Sequence, residues 1–527
     1  MNDFIISLLL LGAMSSSDGY LPYWMTTNQY GLMPERNGAM SLISAQTQFD
    51  DSKTWQYRWG ASLGANTYNN PLDPASSPTH IMVDQLYASL RWKVFTLDLG
   101  QKHRENDFIG ASPALGSLSV TGGHLVESGN ARSMPGYLGT LAPVAVPWTG
   151  KHLWIYGAFG DYATMDQRYC QGALVHRTRI GFRVTATERL SFDAVLDHYG
   201  IWGGTSPDYG KMDINLENYL RMVTGSHAGS SGTISDQVNV IGDQGGSEIF
   251  RATYRGDGWN ITAQHDIPYS DGSGMGFQNF PDGVNTICFS WNDKDRWVSD
   301  ILYEHHYTMY QSGPINGELI GENGEILTPP GTKTTGKDQY FCNGEYRSCW
   351  THFGHIIGDP LILPTGMHDG TWSSALMNIG IDNDRYKAHH FGLGGKLWRR
   401  HPYKFMLTYS DNHGSYRKVY VGENPADKPW GTVKETGLHQ LSGAFTGLID
   451  FSSIAGTAKT RTATGKGKAA TARSAKNGTG TAKAASGTTS RSWLDGLSLS
   501  YGLYFDKGEL YQDSFGATIG VRYTIGR

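Results

Sequence analysis

Between Asn343 and Pro360, six residues suited to recognising a sugar stand among glycines: Asn343, Tyr346, Arg347, Trp350, His355 and Asp359. Aromatic rings offer flat apolar faces on which a sugar ring stacks, and Asn, Asp and Arg offer fixed donors and acceptors for hydroxyls or a uronate carboxylate. Arg suits a carboxylate best, because its planar fork engages both oxygens. A second group, Ser128 to Arg132, sets Asn130 and Arg132 beside Gly129 in a turn-prone run suited to lining a cleft. Both groups also admit plain structural readings. Tyr346 and Trp350 suit a membrane interface, His355 suits a satisfied structural position, and Arg132 suits an ion pair at a corner turn.

Arg177, Arg179 and Arg183 repeat at even spacing, and Asp193 and Asp197 follow on the next alternating run. On paired strands all five share one face, together with Ser191, either guiding an anionic polymer or forming an internal salt-bridge network. Catalytic patterns are weaker. Ser128-Gly129-Asn130 fits no nucleophile elbow, and the adjacent pairs His305–His306 and His389–His390 point to opposite faces of a strand, so neither pair chelates one ion. His352 and His355 are better spaced but lack a third ligand. No enzyme activity, metal or cofactor is expected. The four cysteines, Cys170, Cys288, Cys342 and Cys349, are too few and too scattered for a disulfide scaffold or a zinc site, and Cys342 and Cys349 either bridge a loop in an oxidising compartment or stay free.

The elements that hold these residues are read from alternation. From Asp513 to Gly526, Phe515, Ala517, Ile519, Val521, Tyr523 and Ile525 fall on one face, and Ser514, Gly516, Thr518, Gly520, Arg522 and Thr524 on the other. One apolar and one wet face on a strand of this length is what a wall between lipid and water needs. Two hairpins repeat the pattern. In Asp84 to Gly100, Leu86, Ala88, Leu90 and Trp92 lead through a turn near Lys93 to Phe95, Leu97 and Leu99. In Arg177 to His198, Thr178, Ile180, Phe182 and Val184 face out while the charges face in. Further alternating runs occur at Ile249 to Tyr254, Trp259 to Ala263, Phe391 to Leu397, Phe405 to Tyr409 and Leu497 to Phe505. Ile214, Leu216, Tyr219, Leu220 and Val223 are spaced instead as a short amphipathic helix in a loop.

Composition agrees. Aromatics make up 12 % of the 527 residues, glycines number 68, and only 17 % of residues are charged, which suits many strands with aromatic belts and disfavours a cytoplasmic α/β enzyme. No apolar run reaches the length of a membrane helix. The expectation is an all-β transmembrane antiparallel barrel, with short helical segments in loops, in a Gram-negative outer membrane. A soluble β-sandwich alternates too, but outward faces so poor in charge argue against it. Phe4 to Met14 with Ser15 to Ser17 is read as the core and exit of an export signal, so 1–15 is set apart as a signal remnant from a single barrel domain over 16–527.

Ala455 to Ser492 differs in kind, being almost wholly Ala, Thr, Gly, Ser, Lys and Arg with eight basic residues and no acid. It cannot build a core and is expected to be disordered. Without those eight, 36 basic residues face 48 acidic ones, so the body carries −12. If the last strand ends in the periplasm, this insertion lies on the periplasmic side, as a plain linker or as a tether to an anionic polymer or lipid head groups.

Several segments resemble, in order, the capsule-assembly Wzi family: Leu21 to Met33 (LPYWMTTNQYGLM), Asp84 to Glu105 (DQLYASLRWKVFTLDLGQKHRE), Gly122 to Pro135 with its core SGNAR, Asn343 to Leu361 (NGEYRSCWTHFGHIIGDPL), and the tail after Trp493. The resemblance implies an outer-membrane barrel of about 18 strands (range 14–18) that works as a lectin, holding or helping to assemble capsular polysaccharide at the cell surface without catalysis. The chain departs from the family pattern in the short run before Leu21, where some members carry a helical bundle, in Cys342 and Cys349, and in the basic insertion. Expected partners are surface polysaccharide, outer-membrane lipid and the barrel-assembly machinery during biogenesis, with no nucleic acid. A general porin or solute channel, and a structural barrel subunit of an outer-membrane complex, are the competing readings.

Overall fold

The computed structural model describes residues 4–17, 20–68, 79–229, 240–270, 276–313, 339–365, 380–415, 436–451 and 493–526. Among them, eighteen antiparallel strands form one sheet that closes on itself. In chain order they are β1 (Phe4–Ser15), β2 (Gly38–Thr47), β3 (Trp55–Tyr68), β4 (Thr79–Trp92), β5 (Phe95–Gln101), β6 (Pro135–Ala145), β7 (Leu153–Ala163), β8 (Leu174–Thr185) and β9 (Leu190–Trp202). The second half comprises β10 (Asp243–Gly256), β11 (Trp259–Tyr269), β12 (Gly283–Trp291), β13 (Asp300–Tyr307), β14 (Tyr386–Leu397), β15 (His401–Asn412), β16 (Leu438–Asp450), β17 (Leu497–Gly508) and β18 (Ser514–Ile525). Each strand pairs with the next, and β1 pairs with β18 from Ile6 opposite Ile525 to Ser15 opposite Gly516, so no edge is left to template aggregation.

The alternation read from the residues is the alternation of the wall. Phe515, Ile519, Val521 and Ile525 on β18 point outward, as do Ile180, Phe182 and Val184 on β8, while Arg177, Asp193 and Asp197 are buried on the lumen side. Outward charges are costly against acyl chains, and the same charges find partners inside.

The first twelve residues described require a correction. Phe4–Ser15 is not an export signal set apart from the barrel; it is the strand that closes it, hydrogen-bonded to β2 on one side and β18 on the other. Its alternation is hidden because both faces are apolar. Leu8 and Leu10 point outward, whereas Leu9 and Leu11 pack inward on an apolar cluster that fills part of the lumen.

The start of β1, the end of β18 and the tight turns lie on one rim, including the turn between Trp92 and Phe95, where Lys93 takes φ 52°. The described parts of the long connections, 20–37, 102–134, 203–229 and 339–365, lie on the other. Short turns mark the periplasmic side and long loops the cell surface. Phe451 and Trp493, which flank the basic run, therefore sit at the periplasmic rim, as expected; the run itself lies outside the described residues. Trp55 stacks on Trp92 at 5.6 Å and Trp297 meets Trp398 at 5.9 Å around this rim. Tyr137, Tyr303, Tyr409 and Phe515 are exposed near the opposite one. These are two aromatic belts at the two interfaces. No helix among the described residues is long and apolar enough to cross a membrane.

Among the described residues, two short α-helices occur in surface connections, α1 (Tyr23–Thr26) and α2 (Leu216–Val223). The second is the expected amphipathic segment. Asn215 caps it by accepting from Asn218 N at 2.9 Å, and Met222 packs against Trp202 and Ile241.

Candidate functional site

Three surface connections turn inward and meet inside the barrel. The first, 21–33, lays α1 across the lumen. Tyr23 N donates to Asp506 Oδ2 at 2.8 Å and Trp24 Nε1 donates to Thr408 Oγ1 at 3.2 Å. A side chain at Gly516 would collide with Met25 and Pro22, so glycine there lets the helix lie against β18.

The second, 102–134, has little regular structure, and its backbone groups must find partners elsewhere. Wall side chains supply them. Asp266 Oδ2 accepts from Leu125 N at 2.8 Å, Glu304 Oε2 accepts from Val120 N at 2.8 Å, and Gln264 Nε2 donates to Gly123 O at 2.9 Å. His390 Nε2 lies 2.7 Å from Leu118 O and Lys404 Nζ donates to Ser117 O at 3.2 Å. The polar inner face of β11 and β13–β15 is thus a template for an irregular chain.

The third, within 339–364, is closed on itself by a disulfide between Cys342 and Cys349. Ser128 N donates to Ile357 O at 2.7 Å, Asn130 Nδ2 to Ile356 O at 3.2 Å, and Trp350 Nε1 to Val126 O at 2.7 Å, which ties this segment to the second. Tyr30 N donates to Gly129 O at 2.8 Å, which brings in the first segment. One apolar cluster then runs from Ala13 and Met40 through Trp24, Val126, Trp350 and Ile356 to Tyr199, Ala388 and Tyr504 on other parts of the wall.

The residues singled out from sequence take distinct places. Trp350 is 4 % exposed, with Tyr199 edge-on at 5.3 Å, so its faces are covered by protein and it is no interface-belt aromatic. Tyr346 is buried, donating to Gly203 O at 3.3 Å. Asp359 is fully buried, accepting from Tyr386 Oη at 2.7 Å and from Leu361 N at 2.9 Å, with His306 Nδ1 at 2.6 Å. Asn130 is buried in the junction of the three segments. His355 lies against Gly31, and burial together with the Arg132 charge pushes it down to about 4, so it is neutral. Arg347 remains exposed near the surface, paired with Asp208 at 2.7 Å and lying over Tyr169. Asn343 shapes the turn beneath it by accepting from Glu345 N and Tyr346 N, each at 2.9 Å.

The charge ladder is a paired network. Arg177 reaches Glu127 at 3.0 Å and Asp197 at 3.4 Å, Arg179 pairs with Asp197, and Arg183 meets Asp193 at 2.8 Å. Burial works to raise the Glu127 carboxyl, yet the Arg177 and Arg104 guanidiniums hold it below the ordinary carboxylate range. Burial and the Arg179 charge push His124 down to about 4. As a neutral ring it accepts from Arg179 Nη2 at Nδ1, 3.1 Å away, and donates to Asp107 from Nε2 at 3.0 Å.

Beneath this network lies a cavity of about 530 Å³ that reaches the periplasmic half of the lumen, where Phe49, Arg91 and Pro143 line it. Its other walls include Tyr30, Lys102, His103, Arg104, Glu127 and Arg132. Of its lining residues outside the ladder, Ser128, Arg132 and Trp350 stood out in the sequence; for the others the signal was the run Lys102-His103-Arg104-Glu105, four polar residues directly after an alternating strand. A hollow of about 770 Å³ between Trp92, Phe95 and Ile180 lies on the outer surface of the wall and faces acyl chains, so it is no lumen site.

Closure, two belts and unequal loop lengths at the two rims decide the location. The chain is a Gram-negative outer-membrane β-barrel. No family model and no curated protein sequence matches it. Among solved structures it is similar to Wzi, described as an outer-membrane protein involved in group 1 capsule assembly in Escherichia coli and as a carbohydrate-binding β-barrel, at TM-score 0.50 and 12 % identity, over 100 % of this chain and 85 % of that one. It also aligns with Pseudomonas aeruginosa OccK9 (OpdG) at TM-score 0.43 and 9 % identity, over 99 % of this chain and 98 % of that one. OccK3 (OpdO) of the same organism aligns at TM-score 0.41 and 10 % identity, over 99 % and 96 %. At these identities the Wzi likeness establishes the fold, in agreement with the resemblance seen in the residues.

Proposed function

We propose that this barrel binds surface polysaccharide non-covalently and helps assemble or retain it at the cell. The observation that carries the reading is the junction of three inward-folded surface connections, tied to one another and to the wall. A lumen occupied in this way suits a fixed outer surface better than a conduit. The solved barrel described as carbohydrate-binding shares the fold.

The contact surface we assign is the outer end of the disulfide loop. There Arg347 and Asn343 stand beside Asp208 and the exposed ring of Tyr209, which together offer a stacking face, a guanidinium and hydroxyl partners. The buried candidates Asn130, Tyr346, Trp350 and Asp359 fix the shape beneath that surface. Arg347→Ala combined with Tyr209→Ala is expected to weaken retention of surface polysaccharide at least tenfold, with heat-modifiable electrophoretic mobility unchanged. Full retention by the double variant would place glycan contact elsewhere.

A solute channel is the second reading, favoured by the cationic cavity in the periplasmic half of the lumen. A large steady conductance in planar bilayers, without glycan binding, would establish it in place of the first.

A further inference from the structure

The cavity beneath the loop junction has an unbalanced inner surface. Five of the cationic side chains lining it stand in ion pairs, among them Arg177 with Glu127 and Lys102 with Asp98. Arg104 and Arg132 do not. Among the described residues neither has a carboxylate in ion-pair contact. Arg104 donates to the carbonyl oxygens of Thr121 and Glu105, and Arg132 packs flat over Phe353 at 3.9 Å with Nη2 against Met82 Sδ at 3.3 Å. The Nε atoms of both are buried and have no protein acceptor among the described residues. Both residues line the cavity, and guanidiniums that meet no carboxylate there suit an anion brought in from outside.

The surroundings restrict the anion further. Tyr30 stacks on His103 with ring centroids 3.5 Å apart, next to Arg104, which gives the cavity an aromatic wall. The Glu127 carboxylate also lines it and supplies an acceptor for hydroxyl groups. A ligand carrying one carboxylate and several hydroxyls fits this set better than a simple inorganic ion. The volume of about 530 Å³ admits one or two sugar rings but not a folded polymer.

We propose that Arg104 and Arg132 form a sugar-acid site in the lumen, open to the periplasmic side and separate from the polysaccharide-binding surface at the cell exterior. It holds a uronate monosaccharide or short oligosaccharide end by its carboxylate. The proposal does not depend on the surface reading, because its residues and its side of the membrane are different.

Isothermal titration of the detergent-purified full-length barrel tests it, with glucuronate as probe and glucose and inorganic phosphate as comparisons. Saturable binding of glucuronate, weakened at least tenfold in Arg104→Gln and in Arg132→Gln and absent for glucose, is the expected result. Heat-modifiable mobility checks that each variant is folded, and Arg347→Ala, at the outer surface, is expected to bind glucuronate as wild type does. No saturable heat with glucuronate, equal binding of glucose, or unchanged affinity in both variants overturns the site. Binding of phosphate without glucuronate overturns the sugar-acid assignment. Loss of polysaccharide retention in Arg347→Ala with glucuronate binding intact shows that the two sites stand or fall separately.

Discussion

Trp350→Ala tests whether the inward-folded connections hold the lumen closed. The indole is 4 % exposed, donates to Val126 O at 2.7 Å and meets Tyr199 edge-on. Truncating a buried Trp costs about 3–5 kcal/mol, through lost contacts and the cavity left behind. Here the Val126 carbonyl also loses its donor, a penalty within that range rather than beyond it. The wall strands gain nothing and lose little, so the cost falls on the equilibrium between the docked and undocked junction. At about 1.4 kcal/mol per factor of ten, the undocked population rises roughly 150- to 4,000-fold. The variant is expected to show frequent conducting bursts in planar bilayers, and new protease cleavage within 340–364, while its heat-modifiable mobility stays that of wild type. A conductance trace and a digestion pattern identical to wild type would refute the reasoning, because the indole would then not be a tie between the two segments.

Reducing the Cys342–Cys349 bridge releases a loop closed over a sequence separation of 7, and the chain-entropy relation puts its contribution at about 2–3 kcal/mol. Dithiothreitol is therefore expected to raise protease sensitivity of this loop without melting the barrel, as read by limited proteolysis beside gel mobility. Glu127 gives the junction an acid sensitivity. Its folded carboxyl sits below the ordinary range, so the stabilisation is present above its unfolded value of about 4.3 and is lost as pH falls further. Conductance bursts are expected to rise below about pH 4 in wild type, and to be raised already at pH 7 in Glu127→Gln, which leaves Arg177 with Asp197 alone. Deleting Ala455 to Ser492 is expected to spare wall assembly, because β16 and β17 pair from Gln440 opposite Gly508 to Asp450 opposite Ser498 and a shorter connection lowers closure entropy; heat-modifiable mobility of the deletion variant checks it.

The wall was legible because its physics is local. A strand facing lipid on one side and water on the other writes its orientation every second residue, and β8, β9 and β18 do so plainly. β1 did not, since the loop junction makes its inner face apolar too, and its eleven-residue run then looked like an export signal. The ladder's inward face followed from alternation, but the partners Glu127 and His124 did not, being supplied by a connection about fifty residues away in sequence. The junction itself has no period to read. Its contacts join Tyr30 to Gly129 and Ser128 to Ile357, and its irregular backbone is satisfied by side chains from opposite parts of the wall. The segments that resemble the Wzi family largely coincide with it. Residue identities therefore marked the junction even though geometry could not be inferred from them.

The placement of α1 bears on traffic between the lumen and the bilayer. Immediately after β1, the chain turns inward and braces β15, β17 and β18 through Trp24, Tyr23 and Met25. The first-to-last seam, where a cylinder of this kind would most easily part sideways, is thereby bolted from within by the same stretch of chain that completes it. A wall held in this way resists sideways parting at that seam, so the hydrocarbon of the bilayer and the polar lumen stay apart there.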